Sequence, residues 1–551
     1  MIKNSIKNPL FSYLLIFLIT VPVFIRIVRP GYYSMHDDFQ VIRIFEMDKC
    51  FKDGQFPCRW VPDMGFGYGY PQFSYYAPLS YYAMELIHLI GFSFIDSVKL
   101  FIVLIILIST FGMYLFAKHL WKSEVGALIS TFLYIYLPFR AVEIYVRGAL
   151  PELTAMAVIP FLFLFVMHLV EGKRHSLFWF SISIAILFLS HNITTLIVTP
   201  IVVLWTAFLI VKNKSWGRIP RVIATFAIGF GLSAFFVVPA WFEKNYVHID
   251  TLTSGYFNYL AHFVSLPQML LSNHWGYGSS QLGTNDDISL GVGITHWIAA
   301  AIAVFAVFIH KKYKQLAGVL FFFFIGWFSL FLMHERSSFI WEKISILSFV
   351  QFPWRFLMLA GFCFCVAAGG VEIIQKKLLK WMIIGALVVA TIFLYRGFFE
   401  PKDWLNITDL EKLTGEAWTK SITASLYDYL PISAQKGPDY EAASEPVVKI
   451  GRLEIISGDK GTAWQRWKVN VSSDYAVLEL QMFYFPDFSV KVDGVEADIN
   501  DENPYGLINV SLVRGEHLVE ARLKDTPVRS VSNMVSVLSL VPLAYVFVRR
   551  K

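Results

Sequence analysis

Charged residues are scarce in this chain of 551 residues: Asp, Glu, Lys and Arg make up 16%, against roughly a quarter in soluble domains. The four cysteines provide no zinc-binding framework. The net charge of +6 comes from short Lys/Arg clusters between apolar runs, with no basic run interleaved with polar sequence, so nucleic acid is not an indicated partner. What the chain does contain is 56% hydrophobic and 17% aromatic residues, which indicates a polytopic membrane protein with some extramembrane mass.

The apolar runs predict about 12 transmembrane helices. They cover residues 10–28, 97–117, 125–140, 151–170, 176–190, 193–211, 222–241, 293–310, 315–333, 354–372, 381–398 and 531–548. Every turn that the positive-inside rule assigns to the cytoplasm carries Lys or Arg, and both termini fall on that side. The aromatic-rich stretch 75–91 is predicted to lie at the outer interface, because counting it as a span would place the later basic turns outside.

Three regions follow from this pattern. Residues 1–399 form a transmembrane domain with a long first outer loop at 29–96, and residues 531–551 form a final helix with a basic cytoplasmic tail. Residues 400–530 alternate apolar and polar side chains with period two in "AWQRWKVNVSS" and "DFSVKVDG", which predicts an extracytoplasmic β-sandwich. The segment "INVSLVRGEHLVEARL" predicts a hairpin turning at Arg514-Gly515, and Asp493-Gly494 is a second turn signal. Cys50 and Cys58 share one loop and form a disulfide if that loop faces an oxidising compartment.

The unusual polar residues collect on the predicted outer face. The first loop contributes His36, Asp37 and Asp38 within "YYSMHDDFQ". Later turns, among them "RAVEIYVRGALPE" and "QFPWRF", contribute the other candidates: Glu143, Arg147, Glu152, His191, Gln351, Trp354 and Arg355. Charge within an apolar helix end is costly and marks a functional site.

These residue types suit transfer of a group from a lipid phosphate. A carboxylate accepts the proton of an attacking hydroxyl, and arginines hold the departing phosphate. A divalent cation is a possible cofactor, with Asp37, Asp38 and Glu152 as its ligands. Adjacent side chains point in different directions, so one aspartate is expected to face the site. Asp37 is the expected base with Asp38 as its competitor, because Asp38 also suits the cap of a helix that begins "DFQVIRIFEM".

The segments "HDDFQVIRIFEMDKCFKDGQFPCRW", "YVRGALPE" and "QFPWRF" resemble bacterial membrane proteins of the 6-pyruvoyl-tetrahydropterin synthase-related family. The tail "FYFPDFSVKVDG" is similar to the C-terminal module of YfhO-like membrane proteins. The architecture resembles the GT-C superfamily of integral membrane glycosyltransferases. This resemblance implies lipid-phosphate-linked sugar donors, a first acid at Asp37 or Asp38, and a second at Glu143 or Glu152.

The resulting expectation is an all-α polytopic membrane protein, GT-C-like, with a C-terminal extracytoplasmic β-sandwich. It would be an inverting glycosyltransferase in a bacterial inner membrane. Its partners would be membrane lipid, a polyprenyl-phosphate sugar, and an envelope glycan or lipid acceptor. The alternatives are a transporter or flippase for a lipid-linked glycan, which would place charges near the bilayer midplane, and a non-catalytic scaffold in envelope assembly.

Overall fold

A computed structural model describes residues 9–283 and 286–548. The chain is mostly helical up to residue 423. Its helices are α1 Pro9–Phe24, α2 Gln40–Lys52, α3 Gln72–Tyr75, α4 Leu79–Leu89, α5 Phe94–Trp121, α6 Glu124–Ile135, α7 Pro138–Ala141, α8 Leu150–Glu171, α9 Ser176–Ser190, α10 Asn192–Asn213, α11 Ile219–Phe242, α12 Leu266–Leu270, α13 Ile294–Ile309, α14 Tyr313–Leu332, α15 Ser338–Lys343, α16 Leu357–Ala368, α17 Lys377–Tyr395, α18 Asp409–Lys412, α19 Gly415–Thr423 and α20 Pro527–Val548.

Within the described ranges, eight helices are long and apolar enough to cross a membrane. A ninth candidate is a bent pair, and three shorter apolar helices, α1, α9 and α13, accompany them. Together these helices correspond to the apolar runs of the sequence. Of the described helices, only eight are individually long enough to cross a membrane. The final helix begins at Pro527, four residues before the predicted start, so Arg529 lies inside it.

The first loop is a folded unit that contains α2, α3 and α4. Helix α4 has 11 residues, about 17 Å of helix, which is too short to cross a hydrocarbon core of about 30 Å. Its Leu86 and Leu89, and Ile90 directly after it, are exposed, as expected of an interfacial helix. Cys50 and Cys58 are disulfide-bonded and close the loop after α2.

The stretch predicted as a turn after the third span is helical. Helices α6 and α7 meet at a 45° bend before Pro138, and the chain continues as a π-helix from Val142 to Arg147. Gly148 ends this π-helix in the left-handed conformation, with φ +65°, before α8 begins. A π-helix does not pair its carbonyls in the α-helical pattern and is frequent at functional sites.

The C-terminal domain contains one antiparallel sheet of six described strands, rather than the two sheets of the predicted sandwich. Its strands are β3 Val447–Ile450, β4 Leu453–Lys460, β5 Trp464–Phe483, β6 Phe488–Val492, β7 Val495–Glu496 and β8 Leu507–Leu523. Strand β5 is central and pairs with β3, β4 and β8. Alternate residues such as Trp467, Val469 and Val471 are buried along it, in agreement with the period-two pattern.

The hairpin predicted at Arg514-Gly515 is wrong. Strand β8 runs unbroken through both residues and pairs with β5 along its length. Gly515, with φ +133°, lies at an irregularity where the register shifts between Val471 and Tyr475. Because of that shift, the alternation of buried and exposed residues along β8 changes phase at this point. In the sequence, the change of phase resembles the two arms of a hairpin. Asp493-Gly494 does form the predicted turn, between β6 and β7.

Residues 400–446 join the two domains and carry no strand of the large sheet. Strand β2 (Trp404–Leu405) instead pairs with β1 (Tyr32–Tyr33) of the first loop. Helices α18 and α19 follow, so this segment covers the first loop. The end of α11 is tied to α20 by an ion pair in which Arg529 Nε donates to Glu243 Oε2 at 2.8 Å, and both side chains are buried.

Candidate functional site

A cavity of about 860 Å³ lies where the first loop meets the ends of several apolar helices and the 400–446 segment. Eight of the ten residues predicted for the site line it: His36, Asp37, Arg147, Glu152, His191, Gln351, Trp354 and Arg355. Asp38 and Glu143 do not line it. Residues more than 300 positions apart in sequence therefore surround one space.

Asp37 reaches the cavity with its carboxylate held on several sides. Arg43 Nη1 donates to Oδ1 at 2.9 Å and to Oδ2 at 3.0 Å. Oδ2 also accepts from Tyr76 Oη at 3.2 Å and from Gln40 Nε2 at 3.2 Å. Among the described residues Oδ1 has only the Arg43 donor, so this oxygen retains a free lone pair.

The π-helix fixes the backbone of this motif. The amides of His36 and Asp37 donate to the carbonyls of Val146 and Arg147, both at 2.9 Å. Gly148 makes this approach possible, because a Cβ on it would lie 2.1 Å from the sulfur of Met35. The first loop and the chain after α7 are thus in direct backbone contact at the cavity.

Asp38 faces away from the cavity and has a different partner. It accepts from Lys412 Nζ of α18 at 2.6 Å. The prediction that Asp38 caps the next helix is wrong, since that helix has Phe39 at its N-cap and no side-chain cap. Burial raises the pKa of the Asp38 carboxyl, and the charge of Lys412 opposes that rise.

Arg147 and Arg355 are not free cations. Arg147 forms ion pairs with Glu143, and with Glu152 at 2.8 Å, and its guanidinium lies 4.8 Å from the Trp354 ring centroid. Arg355 Nε is 3.7 Å from Glu152 Oε2. The two arginines and two glutamates balance in formal charge, so the structure pairs Glu143 with Arg147 instead of exposing it to the cavity.

Gln351 orients Arg355 from an uncommon backbone conformation. Arg355 Nη1 donates to Gln351 Oε1 at 2.9 Å and to the Val350 carbonyl at 2.8 Å. Gln351 has φ +65° and ψ −52°, and Phe352 N donates to Val350 O at 2.7 Å. This three-residue γ-turn is rare and strained, and such strain concentrates at functional sites.

His191 belongs both to a helix end and to the cavity. Its ring accepts from the Thr194 amide at 3.3 Å and so caps α10. Burial lowers the pKa of His191 to about 3, so the ring is neutral at physiological pH. A neutral imidazole in this position acts as a hydrogen-bonding group rather than as a cation.

Three further residues of the site were missed in the sequence. Arg43 is buried and holds Asp37, although its position inside the apolar run "QVIRIFEM" was a signal. Lys244 lines the cavity just after α11 and forms no ion pair with a described carboxylate. Asp428 enters from the 400–446 segment, and burial raises its pKa to about 6 against the lowering effect of Arg43. Nothing local in the sequence marks Lys244 or Asp428.

The ligand set suggested for a divalent cation does not assemble. Asp37 and Asp38 face different partners, and Glu152 pairs with Arg147. Within the described ranges no group of three or more His, Cys, Asp or Glu side chains is placed to hold a metal ion.

Fold and site together define a polytopic membrane protein whose first loop and C-terminal segment enclose a polar cavity at one end of its helices. The chain belongs to the membrane-protein family described as the 6-pyruvoyl-tetrahydropterin synthase related domain, whose profile matches residues 73–397. The match covers more than half of the chain and ends before the C-terminal sheet. It begins after His36 and Asp37, so the first-loop motif lies outside the matched range.

Individual relatives are distant. A protein of Lactococcus lactis subsp. cremoris (strain MG1363), described as uncharacterized, is 27% identical over 271 residues, which cover 47% of this chain and 42% of that protein. The chain thus spans less than half the length of this curated relative.

Among solved structures, the arabinofuranosyltransferase AftD from mycobacteria aligns with 72% of this chain and 27% of its own at 14% identity and a TM-score of 0.45. The archaeal oligosaccharyltransferase AglB from Archaeoglobus fulgidus, in complex with an inhibitory peptide and a dolichol-phosphate, aligns with 79% of this chain and 61% of its own. The identity is 12% and the TM-score 0.46. Similarity at this level assigns no activity to the chain.

Proposed function

We propose that this protein is an integral membrane glycosyltransferase of the GT-C type. Its donor is a polyprenyl-phosphate-linked sugar, and its acceptor is a glycan or lipid of the cell envelope. In this proposal twelve segments cross the inner membrane, both termini are cytoplasmic, and the cavity opens at the outer face. Support comes from membership of a membrane-protein family and from a polar cavity at the ends of apolar helices.

The observation that carries the proposal is the position of Asp37. Its carboxylate, which lines the cavity, is oriented by Arg43, Gln40 and Tyr76, and among the described residues its Oδ1 has only the Arg43 donor. A carboxylate held in this way can accept the proton of an acceptor hydroxyl as the hydroxyl oxygen attacks C1 of the sugar. The bond between C1 and the phosphate oxygen breaks, its electron pair stays on the phosphate, and the anomeric centre is inverted.

The cations of the cavity have different tasks in this scheme. Arg147 is compensated by two glutamates, so its net pull on a phosphate is reduced. Lys244 has no carboxylate partner among the described residues and lies at the end of an apolar helix, where a lipid phosphate would be located. Lys244 is therefore the principal phosphate-binding residue of the proposal, and Arg355, which also lines the cavity, is the second.

The 400–446 segment completes the enclosure. Ser425, Asp428 and Tyr429 of this segment line the cavity. Tyr70 Oη donates to the Ser425 carbonyl at 2.7 Å and accepts from the Tyr429 amide at 2.7 Å, so the first loop holds this segment in place.

The test compares Asp37→Asn with Asp38→Asn as a matched control, because the two residues are adjacent and only Asp37 lines the cavity. Purified protein in nanodiscs containing host envelope lipid would receive a panel of undecaprenyl-phosphate hexoses, and release of undecaprenyl phosphate would be measured. We expect Asp37→Asn to lose activity by about 100-fold or more and Asp38→Asn to keep most of it. Full activity in Asp37→Asn would overturn the assignment of the base. Movement of the donor across the bilayer without release of lipid phosphate would indicate the flippase alternative instead.

A further inference from the structure

A second, partly open space lies between the first loop and the C-terminal sheet. It has a volume of about 610 Å³ and shares no lining residue with the cavity around Asp37. Helix α2 connects the two, since Asp37 precedes its first residue and Lys49 and Lys52 line the groove at its last turn. With 13 residues, α2 separates the two sites by roughly 20 Å. We call this space the loop–sheet groove.

Aromatic rings form one side of the loop–sheet groove. Phe66 and Trp418 are half-buried there, with the buried rings of Trp60 and Tyr68 beside them. The indole Nε1 of Trp60 is buried and has no hydrogen-bond partner among the described residues. Because Gly69 packs on this edge of the indole, the N–H is closed to a ligand, and Phe66 and Trp418 are the rings that a ligand can reach.

The glycine repeat of "GFGYGY" shapes this aromatic side. Gly65, Gly67 and Gly69 all have positive φ, and a Cβ on Gly69 would lie 2.4 Å from Trp60 Nε1. The turn therefore packs its backbone directly on the indole, which larger residues would prevent. Phe66 is pinned on both sides by backbone hydrogen bonds, to Ile422 at 3.1 Å and from Ala442 at 2.8 Å.

The opposite side is polar and rigid. Asp53 accepts from the Thr462 amide at 2.8 Å and from Trp464 Nε1 at 3.0 Å, which ties the first loop to the sheet. Gln481 accepts from the Ala443 amide at 3.2 Å, and Gln465, near the other end of the same strand, donates to the Gln481 carbonyl at 3.5 Å. A groove whose walls are already held by hydrogen bonds loses little conformational entropy when it binds a ligand.

The charges that line the groove balance. Three lysines, Lys49, Lys52 and Lys460, face three carboxylates, Asp53, Asp63 and Glu441. Lys49 is paired with Asp63, and Lys52 with Asp48 at 2.6 Å. A phosphate-rich or otherwise polyanionic chain would require an excess of cations. A groove with balanced charge, amide side chains and aromatic faces instead suits a ligand with many hydroxyl groups and no net charge.

We propose that the loop–sheet groove binds an uncharged oligosaccharide chain. The aromatic faces of Phe66 and Trp418 pack against the C–H faces of sugar rings, and the amides, carboxylates and lysines of the groove exchange hydrogen bonds with hydroxyl groups. The site lies at the other end of α2 from Asp37, so a chain bound there is held by the protein independently of the residues around the Asp37 cavity.

The experiment uses the full-length protein in nanodiscs without any lipid-linked donor, so its outcome does not depend on the proposed transfer reaction. The probes are cellohexaose, maltohexaose and chitohexaose, with hexagalacturonate as the anionic comparison, and binding is measured by calorimetry. Trp418→Ala removes a ring, and Ala442→Trp fills the groove beside Gly67. Trp216→Ala is the matched control, because this tryptophan is exposed and lies outside the groove.

We expect at least one neutral hexasaccharide to bind, and expect Trp418→Ala and Ala442→Trp each to weaken binding about tenfold or more. Trp216→Ala and Asp37→Asn should bind as the wild type does. The proposal is overturned if no neutral hexasaccharide binds, if the two groove variants bind as the wild type does, or if hexagalacturonate binds more tightly than every neutral chain. Loss of sugar transfer in Asp37→Asn with unchanged hexasaccharide binding would separate this site from the proposed transfer site.

Discussion

Arg43 donates from one guanidinium nitrogen to both carboxylate oxygens of Asp37, at 2.9 and 3.0 Å. The same nitrogen lies 3.2 Å from Tyr81 Oη, and Tyr81 donates in turn to Gln40 at 2.8 Å. The network is largely buried, and Gln40 extends it beyond the first loop by donating to the Gly148 carbonyl at 2.8 Å. It holds the carboxylate in one orientation before any ligand arrives, which is what a general base requires.

Lys244 should determine the affinity for lipid phosphate. Lys244→Ala removes the cavity lysine that has no described carboxylate partner, so we expect binding of undecaprenyl phosphate to weaken about fivefold to 50-fold. Lys436→Ala is the control, because this lysine lies outside the cavity. Microscale thermophoresis in nanodiscs gives the dissociation constants, and equal affinity in Lys244→Ala and wild type would contradict the phosphate assignment.

Gly148 should be intolerant of a side chain. Gly148→Ala combines a positive φ, which costs about 1–2 kcal/mol, with a clash against the Met35 sulfur. We expect loss of donor turnover because the clash displaces the adjacent His36 and Asp37. Met35→Ala creates space, so the double variant should regain part of the activity. No recovery in the double variant would show that the clash is not the cause.

Asp38 and Lys412 should behave as a structural pair. Their 2.6 Å contact joins the first loop to α18, so Lys412→Met should lower the melting temperature while donor turnover persists. A double-mutant cycle with Asp38→Asn is expected to give a coupling of about 1–2 kcal/mol. A coupling free energy near zero would show that the contact between Asp38 and Lys412 does not stabilise the packing of the first loop against the C-terminal segment.

Asp428 should make stability depend on pH. Burial raises its pKa to about 6, opposed by Arg43 and assisted by Asp37, whereas an unfolded aspartate titrates near 3.9. Between about pH 4 and pH 6 the folded state therefore holds a proton that the unfolded state has lost. Stability should fall as pH rises through this window and level off above it.

The difference between wild type and Asp428→Asn isolates this contribution. Relative to that of the wild type, the free energy of unfolding of Asp428→Asn should rise by about 1–2 kcal/mol between pH 4 and pH 7. The reason is that the variant has no carboxyl group to ionise at this buried position. Melting temperatures in nanodiscs across this range provide the measurement. A difference that does not change with pH would contradict the raised pKa.

Glu243 and Arg529 should be a stability determinant that links α11 to the last helix. Glu243→Ala leaves a buried guanidinium without its partner, which costs about 3–5 kcal/mol. Glu496→Ala breaks an exposed pair with Lys524 and should cost much less, because solvent screens the two charges. Chemical denaturation followed by circular dichroism compares the two, and equal losses would contradict the assignment.

Local signals in the sequence explain why much of the site could be predicted. His36, Asp37 and Glu152 stand out because carboxylates and imidazoles at the ends of apolar runs are costly. Lys244 and Asp428 carry no such signal, because a lysine after a helix and an aspartate in a polar segment are ordinary. The hairpin was wrongly predicted at Arg514-Gly515 because local sequence cannot distinguish the two structures. A bulge and a hairpin both reverse the phase of a period-two pattern.

The sequence by itself determined the class of protein, the approximate limits of the apolar helices and the turn at Asp493-Gly494. These features depend on hydropathy and turn chemistry within a few residues. The tertiary structure decided which aspartate faces the cavity. The backbone amide of Asp37 is held by a segment about 110 positions later in the sequence. The Asp38 carboxylate is held by a lysine 374 positions later. Such pairings depend on how the loop folds onto the helices, and local sequence carries no record of them.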